Sequence, residues 1–67
     1  MKAYAKFHFP NTSISTENMA ENELRGLVAD IMTNRRKNSF KAHNKEFLVN
    51  PELVCYVEMI PDSMTHS

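Results

Sequence analysis

The chain has 67 residues and a mass of 7.7 kDa, which allows one domain whose folding hides only about 60% of the surface that the extended chain exposes. Eight Lys and Arg balance eight Asp and Glu for a formal charge of zero and a pI near 6.8, so bulk electrostatics select neither nucleic acid nor an acidic membrane. A hydrophobic share of 42% with 24% charged residues is that of a folding globular chain, and no apolar run approaches the length of a membrane span. No secretory leader is recognised, and the single cysteine excludes an internal disulfide. A membrane is therefore not an expected partner, and a cytoplasmic setting is the default.

The first element is plain. Along residues 2–9 the sequence alternates strictly, with Ala3, Ala5, Phe7 and Phe9 on one face and Lys2, Tyr4, Lys6 and His8 on the other, which predicts a half-buried strand. Pro10 and Asn11 end it, and a crossover loop is expected to follow. Ser15 as N-cap would pair Ile14 with Met19 as a hydrophobic staple, and Asn18 with Glu21 is a competing start. From either start, Ala20, Leu24, Leu27 and Ile31 form one helical stripe, with Val28 beside it and Met32 at its border. Glu17, Glu21 and Glu23 lie near the amino end and Arg35, Arg36 and Lys37 near the carboxyl end, as the helix dipole prefers. Asn38 is expected to close the helix.

The last third is less sharply patterned. Residues 39–42 read as a short strand or a loop anchored by Phe40, and residues 46–49 as a strand entering the turn Asn50-Pro51-Glu52. Over 53–60 two signals compete. Asn50 as cap with Pro51 behind it suits a helix start, whereas the β-branched and aromatic run Leu53-Val54-Cys55-Tyr56-Val57 favours a strand closed by Pro61. Asn11, Asn38, Asn44 and Asn50 punctuate the apolar segments of a chain with one glycine. Residues 62–67 are expected to be a flexible tail. The fold class is α+β: a β-α-β-β domain over residues 1–61, with one amphipathic helix on a three-stranded sheet and a right-handed crossover bringing the second strand in parallel.

Little in this sequence points to covalent chemistry. Cys55 sits in an apolar run and is expected to be a buried, inert thiol. His8, His43 and His66 do not pair with it or with one another at zinc-ligand spacing, and Glu46, Glu52, Glu58 and Asp30 belong to no acid-base motif. A glycine-rich phosphate loop is excluded. No catalytic, cofactor-binding or metal-binding residues are assigned, and the chain is expected not to be an enzyme.

The charge layout is more informative than its total. Residues 1–16 carry +2, residues 17–30 carry −3, residues 31–45 carry +5 and residues 46–67 carry −4. The basic block of Arg35, Arg36, Lys37, Lys41 and Lys45 is a candidate partner-binding segment, extended by Tyr4 and Lys6 on the open sheet face. Gly26, on the helix face opposite the stripe, would let another backbone approach closely. The methionines read mostly as core gap fillers. So small a core leaves sheet edges and one face uncovered, which calls for a homodimer or another partner. The leading expectation is a protein-binding module acting on a larger protein or complex, an inhibitor or accessory factor of the kind that phages and other mobile elements encode. The alternative is a nucleic-acid-binding regulator that uses the basic segment of residues 35–45.

Overall fold

Residues 1–62 are described by the computed structural model. Its axis is β1 (Lys2–Phe9), whose alternation sends Ala3, Ala5 and Phe7 inward at 3% exposure or less and leaves Tyr4, Lys6 and His8 half-buried on the outer face. Lys6 lies opposite both Ser15 and Glu58, so β2 (Thr12–Ser15) and β6 (Tyr56–Pro61) flank β1 on its two sides. β3 (Met19–Ala20) pairs on the same side as β2, because Ala3 lies between Met19 and Pro61. Every pairing is antiparallel. The sheet is thus three strands wide, and one amphipathic helix packs on it, as the α+β class requires.

The connections differ from expectation. No crossover follows Pro10: Phe9 pairs with Thr12, so Pro10 and Asn11 close a two-residue hairpin turn in which the missing proline N–H is not needed. The parallel strand is consequently absent. β2 and β3 are one strand interrupted by a bulge, in which Thr16, Glu17 and Asn18 face only Ala5 and Tyr4. Thr16 N–H donates to the Ala5 carbonyl at 2.9 Å, while Ala5 N–H donates to Thr16 Oγ1 at 3.0 Å. A buried side-chain oxygen thereby replaces a displaced carbonyl.

The chain turns directly from β3 into α1 (Glu21–Met32). Neither anticipated cap is used, since Ser15 lies in β2 and Asn18 in the bulge; Ala20 takes the cap position without a side-chain bond. The Glu21 N–H donates instead to the Met1 carbonyl at 3.1 Å, so the sheet caps the helix. Glu21 and Glu23 occupy the first turn, and Leu24 and Ile31 are fully buried, with Leu27, Val28 and Met32 packed around them. The helix stops at Met32 with Thr33 as its cap, short of Asn38, and its last turn holds no basic residue. Arg35 turns left-handed at φ 58°, and the N–H groups of Arg36 and Lys37 both donate to the Asp30 carbonyl, at 2.8 and 3.3 Å. That local turn ends the helix early.

A second, two-stranded sheet follows, formed by β4 (Ser39–Ala42) and β5 (Lys45–Leu48). His43 and Asn44 join them with φ of 56° and 62°, the primed two-residue turn that matches the twist of a hairpin. Phe40, Ala42 and Val49 enter the common core, and the Phe40 ring stacks on Phe7 at 5.5 Å and tilts against Phe47 at 5.4 Å. Helix and hairpin therefore share the inner face of the main sheet. Both signals of the 53–60 stretch are expressed, one after the other. Asn50 Oδ1 accepts the Glu52 N–H at 3.0 Å and opens a single 3-10 turn, Pro51–Leu53, and the β-rich residues then form β6 from Tyr56. Cys55 is not buried: it lies just before β6, exposed, with its N–H donating to the His8 carbonyl at 2.7 Å. Asp62 continues the ladder, its N–H donating to the Lys2 carbonyl at 2.9 Å. The remaining residues assigned to the tail, Met64 and His66 among them, lie outside the described residues. No helix is long and apolar enough to cross a membrane among those described.

Candidate protein-binding groove

The helix end and the hairpin are held apart by their attachments. At one end the chain leaves α1 through the Asp30 carbonyl; at the other, Glu17 in the bulge reaches over to accept the His43 N–H at 2.7 Å. Between these two points lies an open cavity of about 550 Å³ with an apolar floor of Met19, Leu27 and Phe40. Arg36, Lys37 and Lys41 line its rim, against one carboxylate, Glu46, which already accepts the Ser39 hydroxyl at 3.1 Å. The floor is dictated by alternation and helical spacing: Met19 points inward from β3, Leu27 belongs to the core stripe, and Phe40 is the inward residue of β4. A basic rim around apolar residues suits a partner carrying both apolar and acidic groups.

Lys41 and Glu46 also line a second open cavity of about 470 Å³, together with Lys45, Glu17, Ala42 and Asn44. A third, of about 490 Å³, joins Tyr4 to Glu17, Asn18 and His43. Of the residues singled out in the sequence, Arg36, Lys37 and Lys41 thus meet at one groove and Lys45 at its neighbour. Arg35 points elsewhere, its guanidinium 3.6 Å from Glu52, with both side chains more than half exposed. That pair contributes little. Lys6 belongs to the outer sheet face, in register with Ser15 and Glu58, and Tyr4 lies on the same face. Gly26 lies in the open: a methyl group added there would meet nothing within 4 Å, so no close approach within the chain explains it.

The outer face has its own organisation. His8 stacks on Tyr56 at 4.2 Å, and its Nε2 lies 3.1 Å from Glu58 Oε1. Tyr56 remains 59% exposed. Among the described residues, no group of three or more His, Cys, Asp and Glu side chains converges as a metal site would need.

Sequence reasoning missed Glu17, Met19, Leu27 and Phe40 as parts of this site. Their helix, strand and core roles were readable, but their convergence depends on the bulge and on the early helix stop, neither of which has a local sequence signature. No family model, curated protein or solved structure matches the chain.

Proposed function

We propose that this chain is a non-enzymatic protein-binding module, working in a reducing cytoplasmic setting as an inhibitor or accessory factor of a larger protein or complex. The observation that carries the reading is the groove between α1 and the hairpin, where half-buried Met19 and Leu27, beside the buried ring of Phe40, form an apolar floor beneath Arg36, Lys37 and Lys41. Isolated exposed apolar residues are ordinary, but apolar side chains gathered under a charged rim suit macromolecular contact. Carboxylates interleave with the cations, Glu46 and Glu17 beside Lys41 and Lys45 and Glu52 beside Arg35. A continuous phosphate backbone would be repelled at those points, which favours a protein over a nucleic acid.

Self-association has its best-suited place at the far edge of β6, which among the described residues pairs with β1 alone. Pro61 removes one N–H from that edge and limits any ladder formed there. Light scattering over a range of concentrations reads this directly: a mass that stays at 7.7 kDa removes the homodimer and leaves the groove.

The groove itself is tested by comparing the wild-type chain with an Arg36→Glu, Lys37→Glu variant as bait in lysate of the source cells. A protein retained by the first and released by the second, with retention surviving nuclease treatment, is the expected result. Retention abolished by nuclease and falling steeply with salt would replace this reading with a nucleic-acid regulator.

A further inference from the structure

Hydrogen-bond accounting along β4 narrows the partner further. Val49 N–H donates to the Asn38 carbonyl at 2.7 Å, which sets the parity of the hairpin. Asn38, Phe40 and Ala42 turn their main-chain groups toward β5, so Lys37, Ser39, Lys41 and His43 turn theirs away from it. The N–H groups of the two outer members of that second set are taken: that of Lys37 donates to the Asp30 carbonyl at 3.3 Å and that of His43 to the Glu17 carboxylate at 2.7 Å. Among the described residues, the main-chain groups of Ser39 and Lys41 have no hydrogen-bond partner. Both residues line the 550 Å³ groove. The unpaired stretch of strand edge therefore faces the apolar floor and the basic rim.

We infer that the β4 edge takes an extended segment of a partner protein as an added strand, alternating apolar and acidic residues. This rests on the groove being the protein-binding site proposed above. Strand addition supplies what the edge lacks, main-chain donors and acceptors for Ser39 and Lys41. Side-chain alternation follows from the pleat. Residues of the added strand on the Phe40 side fall over Met19 and Leu27, and those on the other side fall beside Lys41, with Arg36 and Lys37 at one end. Three cations against one engaged carboxylate give the acidic preference. The edge itself already holds a carboxylate, that of Glu17 on the next outward N–H. The paired length is bounded by β4 itself, whose four residues span about 13 Å at roughly 3.3 Å each.

The probe is a capped six-residue peptide alternating valine and glutamate, titrated to millimolar concentration into the full isotope-labelled chain at low salt and followed by amide NMR. Saturable shifts centred on Ser39 and Lys41, with slowed exchange of both amides, are expected. N-methylation of the peptide amides that face β4 should weaken binding about fivefold to tenfold per lost bond, and the matching valine-lysine peptide should not bind. Lys41→Glu, checked for an unchanged amide spectrum elsewhere, should weaken binding as well. Absence of saturable shifts, indifference to N-methylation, a response mapped to the β6 edge, or a stronger response of the same amides to an oligonucleotide would each overturn the inference. If the peptide fails while a lysate partner still requires Arg36 and Lys37, only strand addition falls; if no partner requires them, the protein-binding reading falls with it.

Discussion

The two sheets of this small molecule are built by different means. The main sheet is laddered on both sides of β1 and sealed by Leu24 and Ile31, so its centre is held by main-chain bonds and packing together. The hairpin of β4 and β5 has no ladder to any other of the described residues. It is attached through Phe40, Ala42 and Val49 in the core, through the Glu17 carboxylate, and through the short turn after the helix. The comparison teaches where cohesion and surface reside: the first sheet supplies stability, and the weakly tethered second one supplies an open strand edge beside a basic rim.

The sharpest way to break that contrast is at the ring that joins the two sheets. Phe40→Ala should cost about 3 kcal/mol, most of what a core of this size provides. The milder Phe40→Leu keeps the chain readable. In native-state hydrogen exchange of that variant, amides of β4 and β5 are expected to lose protection ahead of those of β1 and β6. Equal loss in all four strands would mean one cooperative unit and would dissolve the distinction. A smaller effect is expected inside the main sheet. Thr16→Val keeps the shape of the side chain but strands the buried Ala5 N–H, so urea unfolding should show a loss of about 1–3 kcal/mol. A change near zero would mean that the hydroxyl is dispensable to the bulge. The smallest effect has the opposite sign. Gly26→Ala should stabilise the helix by about 0.5–1 kcal/mol, read as a raised melting temperature, since open space surrounds that position. If the substitution also leaves partner capture intact, Gly26 has no role in docking.

How much of this was legible depended on how local the cause was. β1 and the stripe of α1 follow from repeated spacing, and both were readable from Ala3 to Phe9 and from Ala20 to Ile31. The Pro10-Asn11 hairpin was not, because a Pro-Asn pair lacks the primed-turn signature and the strand after it, Thr12 to Ser15, is mostly polar. The helix caps misled for a related reason: Ser15 and Asn18 have capping chemistry, but Ser15 is paired to β1 and Asn18 sits in the bulge with its side-chain amide donating to Asp62, while the Met1 carbonyl filled the role from far away in sequence. Cys55 was misjudged because the strand starts at Tyr56, three residues after Leu53, where the apolar run that suggested it begins, which leaves the thiol outside the ladder. For the site, the basic cluster of Arg36, Lys37 and Lys41 was visible as charge. The apolar floor beneath it was visible only as core, because an edge left unpaired between two distant attachments is a tertiary fact.

The bulge has a consequence for how this chain tolerates changes in length. Without the extra residue, the pairing that runs from Phe9 with Thr12 to Lys6 with Ser15 would continue unbroken, and a chain lacking Glu17 would still bring Met19 opposite Ala3. The pairing to β1 would be kept, yet the brace to His43 would be gone and only the buried side chains of Phe40 and Ala42 would hold the hairpin at that end. A single added amino acid, neutral to the strand that contains it, is what keeps the mouth of the groove at a set width.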